Sequence, residues 1–255
     1  MNNFKQIMAA GLAFFAISMG ANAQVIGGEV NIDGSRDDVP FIGGELNLRG
    51  DIDGDIFAIA GDGQIDAVVH GDVEFFGGDI DLNGVVDGSV EIAGGDVNIG
   101  ARIGGDLNAA GGDVSIEGET GGELNAAGGS VRVAAMVGGD MKAAGGEVII
   151  ASGTVISGDS RVVAGSVEFL GTARGDADIE GAHVSLGGVF DGDVDVRAEE
   201  VTILSSARIA GLLTVRSPVE ASIADGAMIG AGDYQHEMFN FGAKHWDDIE
   251  ISFSG

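Results

Sequence analysis

Short units in which apolar and polar residues alternate run along most of the chain, and each unit begins with a glycine. The phrase GDLNA at Gly105 is typical, because an acidic residue follows the glycine and two apolar residues then flank one polar residue. This alternation predicts a β-strand with apolar side chains inward and uniformly polar side chains outward. The unit returns every seventeen residues, with two residues added before Gly158, at Gly54, Gly71, Gly88, Gly105, Gly122, Gly139, Gly158, Gly175 and Gly192.

A second copy of the unit begins seven residues after each of these glycines, as in GDVSI at Gly112. A third apolar column lies two residues before the first-unit glycines and comprises Ile52, Val69, Val86, Ile103, Thr120, Val137, Ile156, Ala173, Phe190 and Ile209. Three short strands per repeat predict an all-β fold, a triangular parallel β-helix (β-solenoid) of about 17 residues per turn. Each strand then pairs with its equivalents in the turns above and below.

The glycines are predicted to mark the corners of the triangle. At a corner the chain turns sharply, often with a positive φ, and a side chain would collide with the equivalent corner of the next turn. The repeated phrase therefore encodes one corner and one wall. Both prolines, Pro40 and Pro218, are expected near the ends, where a missing amide hydrogen discourages a further strand from adding.

The solenoid is predicted to occupy residues 44–232, after an irregular turn or cap at residues 24–43. Residues 1–23 combine Lys5, an apolar run and the sequence Ala21-Asn22-Ala23, which are typical of a cleaved secretory signal peptide. Residues 233–255 contain the only Tyr and the only Trp, and we predict that they form an aromatic cap. We therefore expect an exported protein, periplasmic, extracellular or at the cell surface, with no transmembrane span after signal removal.

The composition and the spacing of the histidines limit which partners and which chemical activities can be expected of the chain. Acidic residues number 41 against 12 Lys and Arg, and the formal net charge of −29 argues against binding to nucleic acid. Without cysteine, an exported chain must be stabilised by burial and backbone pairing alone. The four histidines lie on different turns or in the tail, and the turns lengthen by only two residues. We therefore expect no walled cleft, no catalytic residue and no enzymatic activity.

Acidic residues recur at one predicted corner, at Asp55, Asp72, Asp106, Glu123, Asp140, Asp159, Asp176 and Asp193. The favoured interpretation is that each carboxylate accepts a hydrogen bond from a corner amide and is otherwise hydrated. The alternative is a ladder that recruits divalent cations, with Asp72, Asp106, Asp140 and Asp176 as candidate calcium ligands. The first interpretation needs no cofactor, whereas the second needs calcium.

Seventeen-residue turns rich in Gly-Asp-Val phrases, such as GDVEF at Gly71, GSVEI at Gly88 and GDVDV at Gly192, resemble those of the bactofilins. This is a family of bacterial polymer-forming, cytoskeleton-like proteins, and the resemblance covers residues 44–216. It implies a right-handed β-helix, a structural role without enzymatic activity, and rods that join end to end into filaments without nucleotide.

We therefore expect a structural or scaffold protein of the bacterial cell envelope. Its expected partners are further copies of the chain, in a homo-oligomer or filament, or another protein or glycan of the envelope. The alternative function is that of a secreted, adhesin-like β-solenoid that binds glycan or protein on a side wall.

Overall fold

Parallel pairing between successive turns holds together the part of the chain that the structure describes. The computed structural model describes residues 25–230 and 234–238, and these contain strands and turns but no helix. All the strands belong to one 23-stranded ladder, which winds through about twelve turns of about 17 residues. The prediction of an all-β parallel solenoid is confirmed.

The strands follow the repeat closely, and in several turns one long strand passes through two or three walls without interruption. They are β1 (Val25–Arg36), β2 (Val39–Ile52), β3 (Ile56–Ile59), β4 (Asp62–Val69), β5 (Val73–Phe76), β6 (Asp79–Val86), β7 (Val90–Ala93), β8 (Asp96–Ile99), β9 (Arg102–Ile103), β10 (Leu107–Thr120), β11 (Leu124–Val137), β12 (Met141–Ile150), β13 (Val155–Ile156), β14 (Ser160–Phe169), β15 (Thr172–Ala173), β16 (Ala177–Leu186), β17 (Val189–Phe190), β18 (Val194–Ile203), β19 (Arg208–Ile209), β20 (Leu213–Ser217), β21 (Ser222–Ile223), β22 (Met228–Ile229) and β23 (Tyr234–Met238).

Each turn has three walls, and the pairing register keeps equivalent residues of the repeat on top of one another. In the first wall Leu107 pairs with Val90 below and with Leu124 above. In the second wall Val114 pairs with Val97 and Val131 in the same way. The period of seventeen residues read from the sequence is therefore the length of one turn.

The interior consists of apolar columns contributed by all three walls. Every member of the predicted third column, from Ile52 to Ile209, is buried, including the single polar member Thr120. Burial of each Val, Leu or Ile side chain contributes about 1.5–3 kcal/mol to folding. Since neighbouring turns also satisfy each other's backbone groups, burial and strand pairing stabilise the same stack.

One irregularity in the core is corrected by a compensating pair of residues. Gly63 occupies a second-wall position where its neighbours in the stack are Leu46 and Ile80. The ring of Phe75 fills the space, because a Cβ at Gly63 would lie 1.9 Å from Phe75 Cζ. Phe75 itself stacks between Ala58 and Ile92, so a large and a small residue have exchanged places between two walls.

The corner glycines are required by close approach, and for the repeated Gly-Asp phrase the expected positive φ is wrong. Positive φ values occur instead at other glycines, among them Gly50, Gly84 and Gly118. In the phrase, a Cβ at Gly88 would lie 2.5 Å from the carbonyl oxygen of Gly71 in the turn below. Contacts this short do not occur at real Cβ atoms, so stacking distance, rather than backbone conformation, selects glycine there.

The ladder extends beyond the predicted bounds at both ends. Strand β1 lies within residues 24–43 and pairs in parallel with β2, with Glu29 opposite Glu45. The spacing here is sixteen residues, one fewer than in the repeat, which hides this turn from a search for a period of seventeen. Strand β23 pairs with β20, whereas the predicted signal peptide at 1–23 and the rest of the aromatic tail, residues 239–255, lie outside the described residues.

No helix within residues 25–230 and 234–238 is long and apolar enough to cross a membrane.

Candidate functional site

A ladder of side-chain-to-backbone hydrogen bonds runs along the corner where the first wall begins. Oδ1 of each corner aspartate accepts a hydrogen bond from the backbone N–H of the equivalent residue one turn further along the chain. For Asp72 the donor is Ser89, at 2.7 Å, and for Asp106 it is Glu123, at 2.8 Å. The same bond, 2.8–3.1 Å long, forms at Asp38, Asp55, Asp140, Asp159, Asp176 and Asp193.

The glycine that precedes each corner residue makes room for this bond. A Cβ at Gly122 would lie 1.9 Å from Oδ1 of Asp106, and one at Gly88 would lie 2.2 Å from Oδ1 of Asp72. Each aspartate therefore bends over the glycine of the next turn to reach the amide behind it. The repeated Gly-Asp pair therefore links successive turns. Its aspartate accepts a hydrogen bond from the turn above, and its glycine leaves room for the aspartate of the turn below.

Two positions of this ladder hold a residue other than aspartate. Ser89 preserves the hydrogen bond, because its Oγ accepts from the amide of Asp106 at 3.1 Å. Glu123 makes no such bond in the described structure, and its carboxylate lies 3.8 Å from Nζ of Lys142 instead. Its extra methylene carries the carboxylate past the amide of Asp140, so the ladder is interrupted near the middle of the rod.

The four candidate calcium ligands lie on this corner but not side by side. Asp72, Asp106, Asp140 and Asp176 are each separated from the next by one intervening turn, and each has Oδ1 engaged with an amide. Within the described residues, the corner aspartates do not form a group of three with ligand atoms within 4.8 Å of one another. The geometry supports the hydrogen-bonding interpretation, with the donor one turn away, and calcium binding stays a prediction.

A second cluster, at the corner between the third and first walls, surrounds His70. Its Nδ1 lies 2.6 Å from Asp87 and its Nε2 lies 3.2 Å from Asp51. The hydrogen bond with Asp87 raises the pKa of His70, and the charges of Asp51, Asp87 and Asp53 raise this pKa further. Asp51, Asp53 and His70 are close enough to share a metal ion, and the two carboxylates that face the ring nitrogens also suit a protonated ring that donates from both nitrogens.

The outward side chains of the first wall form two columns, which correct the expectation of a uniformly polar exterior. The central column comprises Phe57, Glu74, Glu91, Asn108, Asn125, Lys142, Arg161, Asp178, Asp195 and Thr214. The edge column comprises Ile59, Phe76, Ala93, Ala110, Ala127, Ala144, Val163, Glu180, Arg197 and Arg216.

The edge column is apolar from Ile59 to Val163, and we call this part of the wall the apolar section. At its start the rings of Phe57 and Phe76 lie 6.4 Å apart between centroids, in a tilted arrangement. Beside it, Glu74 and Glu91 pair across adjacent strands and form no ion pair in the described structure. Partial burial raises the pKa of Glu74, and the charge of Glu91 raises it further.

The remainder of the wall, from Glu180 to Arg216 in the edge column, is the ionic section. Arg197 lies 3.5 Å from Glu180, whose side chain is only 5% exposed. Arg216 donates hydrogen bonds to Asp195 and to Glu237, the latter at 2.8 Å, and these bonds raise the pKa of Arg216. A shallow open depression adjoins these pairs, with Lys142, Arg161, Asp178 and Thr214 in its lining.

No protein-family model, curated protein or solved structure matches the chain. The resemblance to the bactofilins therefore stays a prediction, and function has to be inferred from the residues of this chain.

The apolar section carried a signal that the sequence reasoning missed. In the phrase GDLNAA, the alternation extends by one more residue, so the final alanine, Ala110, lies outside the interior cluster, although it is only 9% exposed. The same position holds Ile59, Phe76 and Val163 in other turns. Extending the five-residue unit by one residue would have shown a column of apolar side chains on the outside of the wall.

Proposed function

We propose that the chain is a non-enzymatic structural rod of the bacterial cell envelope that associates with further copies of itself. The observation that carries this proposal is the unbroken stack. Between Val25 and Ile229, no connection between consecutive strands is longer than four residues. Ligand pockets need loops or a second layer of structure to enclose a substrate, and a wall of this kind supplies neither.

The dimensions and the surface support a role as a spacer or scaffold. About twelve turns at ~4.8 Å per strand make a rod about 58 Å long. The corner ladder and the apolar core recur in nearly every turn, so the rod resists bending along its length. The predicted signal peptide supports an envelope location, and the net charge of −29 favours solubility of a strand-rich surface.

The test combines location with assembly. We expect an epitope-tagged chain to fractionate with the cell envelope and the purified protein to form paired rods or filaments in negative-stain electron microscopy. A cytoplasmic protein that stays as single rods at millimolar concentration would contradict the proposal. Detection of a turnover reaction that depends on residues of the first wall would also contradict it.

A second candidate function, adhesin-like binding of a glycan, is favoured by the depression in the ionic section. Charged and hydroxyl side chains of both hydrogen-bonding types, such as Arg161, Asp178 and Thr214, converge there. Such groups suit a ligand rich in hydroxyls. Binding to a glycan array that is lost in the variant Arg161→Ala, and kept in the second-wall variant Arg132→Ala, would favour this candidate over the scaffold.

A further inference from the structure

The first wall has an outward face whose two columns are complementary to themselves. The face spans six turns, from Glu74 to Arg161 in the central column and from Phe76 to Val163 in the edge column. Acids stand at one end, Glu74 and Glu91, and bases at the other, Lys142 and Arg161, with Asn108 and Asn125 between them. An antiparallel copy of the same face therefore meets opposite charges at both ends.

A twofold axis parallel to the strands, placed between the turns of Asn108 and Asn125, describes this match. It sets Glu74 opposite Arg161 of a second copy, and Glu91 opposite its Lys142. In the edge column it sets Phe76 opposite Val163, Ala93 opposite Ala144 and Ala110 opposite Ala127. Every contact occurs twice, as in an isologous dimer.

The charges of the free chain show that the acidic end lacks a cationic partner. Glu74 and Glu91 are neighbours on adjacent strands, and neither has an ion pair within the described residues, whereas like charges opposed across strands destabilise a sheet. The pKa of Glu74 is raised first by partial burial and then by the charge of Glu91, so a share of the shift reflects this repulsion. Lys142 and Arg161 make ion pairs within their own chain, at 3.8 Å to Glu123 and 3.4 Å to Asp178, and these partly exposed pairs leave both cations able to contact Glu91 and Glu74 of a second copy as well. Such contacts would offset the repulsion between the two acids.

The middle of the face also offers hydrogen bonds and close approach. Asn125 donates to Asn108 at 3.0 Å, but its own Oδ1 is buried without a hydrogen-bond partner in the described structure. A buried amide oxygen without a partner costs free energy, which a donor from the facing Asn ladder would recover. Alanines at four successive turns of the edge column, Ala110 buried and the other three half-buried, let two such walls approach closely, as in dry interfaces between paired sheets.

We propose that two copies of the chain pair side by side and antiparallel through this face, an inference that rests on the proposed self-association and names its surface. The face ends at Val163, because the next edge residue, Glu180, is buried and already paired with Arg197. Since each chain is strongly acidic, the pair should form at physiological ionic strength, where repulsion between distant charges is screened over about 8 Å.

The test is an exchange of charges between two variants of the purified protein. The variant Glu74→Arg/Glu91→Lys has a wholly basic face, and the variant Lys142→Glu/Arg161→Glu has a wholly acidic one. By sedimentation equilibrium in 150 mM NaCl, we expect the unaltered protein to dimerise. Each variant alone should dimerise at least 10-fold more weakly, and an equimolar mixture should recover a dimer that contains one of each.

The matched control reverses two charges on the second wall, in the variant Arg132→Glu/Glu168→Arg, and should dimerise like the unaltered protein. Circular dichroism and melting temperature show whether each variant is folded. A variant Ala110→Gln, which blocks close approach without changing charge, should also dimerise at least 10-fold more weakly.

Three results would overturn the proposal: an unaltered protein that stays monomeric, a mixture of folded variants that fails to pair, or loss of pairing in the second-wall control. A chain that dimerises only after removal of residues 239–255 would show that its own tail covers the face, which also contradicts the proposal. Envelope location together with end-to-end filaments would leave the scaffold function standing while this pairing fails, so the two failures are distinguishable.

Discussion

The apolar and ionic sections of the first wall share one backbone and one corner ladder but differ in what covers them. In the ionic section Arg197 pairs with Glu180 and Arg216 pairs with Asp195 within the chain, although Oε1 of Glu180 is buried without a hydrogen-bond partner in the described structure. In the apolar section Phe76 and the alanines above it lie half-buried or, at Ala110, buried on the outer side of the wall, beside two acids without cations. The difference shows that the repeat requires apolar residues at the interior positions of every turn, whereas the residues at the outward positions can differ from one section to the other.

The consequence is that stability and association should depend on different residues. Substitutions in the interior or at corners should cost stability equally in both sections, since each turn has the same neighbours. Substitutions on the outward columns should cost stability in the ionic section and association in the apolar section. The following variants test that division, from the largest expected effect to the smallest.

The largest effect is expected at matched corner glycines. A Cβ at Gly71 would lie 2.6 Å from the carbonyl oxygen of Gly54, and one at Gly192 would lie 2.5 Å from that of Gly175. Because both also displace an aspartate from its amide, Gly71→Ala and Gly192→Ala should each lower the free energy of unfolding by about 2–4 kcal/mol. Urea unfolding of the two variants measures this, and a cost confined to one section would show that the turns are not equivalent.

The second effect separates the two sections. Arg197→Ala leaves the buried carboxylate of Glu180 without its cation, and should lower the free energy of unfolding by about 1–3 kcal/mol, less than for a fully buried pair because Arg197 is partly exposed. Lys142→Ala removes a more exposed contact of 3.8 Å and should cost less than about 0.5 kcal/mol. The double variant Arg197→Met/Glu180→Leu should recover most of the loss, and equal costs for the two single variants would refute the division.

The third effect concerns the corner ladder, which both sections share. Asp106→Ala leaves the amide of Glu123 without its acceptor and should cost about 1 kcal/mol, whereas Asp106→Asn keeps an acceptor oxygen and should cost less. Glu123→Asp should stabilise the rod, because the shorter side chain can reach the amide of Asp140 and complete the ladder. An Asp106→Asn variant as unstable as Asp106→Ala would mean that charge, rather than the hydrogen bond, holds the corner.

A fourth, smaller effect is expected at Glu74. Its pKa is raised in the folded chain, so ionisation costs stability at neutral pH, and the cost vanishes as pH falls through that pKa. Glu74→Gln should therefore stabilise the monomer at pH 7 by a few tenths of a kcal/mol, roughly the size of one like-charge pair across strands, while it weakens dimerisation. Thermal melts of dilute protein measure the gain in monomer stability, and sedimentation of concentrated protein measures the loss of dimerisation.

The smallest effect is a pH dependence at the His70 cluster. Since the folded pKa lies above the ordinary value of 6.5, the protonated ring stabilises the fold fully below pH 6.5, and this contribution is lost as pH rises through the folded pKa. The melting temperature of the protein should exceed that of His70→Gln most at low pH, and the gap should close in alkaline buffer. A gap that widens with rising pH would contradict the protonated arrangement.

The sequence predicts the interior well because one period governs it. Each apolar column, such as that from Ile52 to Ile209, follows from a spacing that the chain keeps almost without error. The period does not predict the first turn, because Glu29 and Glu45 are sixteen residues apart. It does not predict the contact between Gly63 and Phe75 either, because the exchange of side-chain volume between two walls is visible only when both walls surround the same interior.

The corner and the outer wall were harder to predict, for two physical reasons. That an aspartate hydrogen-bonds an amide could be expected from its place after glycine, but that the amide belongs to the next turn depends on stacking distance. The apolar section lies one residue beyond the five-residue unit, at Ala110 and its equivalents, where small residues look like part of the corner. Its likeness to an interface emerges only from the order of Glu74, Glu91, Lys142 and Arg161 along one column.

The most direct test of side-by-side pairing is small-angle X-ray scattering of the unaltered protein over a range of concentrations in 150 mM NaCl. A dimer centred between the turns of Asn108 and Asn125 overlaps almost fully, so we expect the mass to double while the maximum dimension stays near that of one rod. A doubled maximum dimension would mean end-to-end joining, and a constant mass would mean no association. Either result would contradict pairing through the first wall.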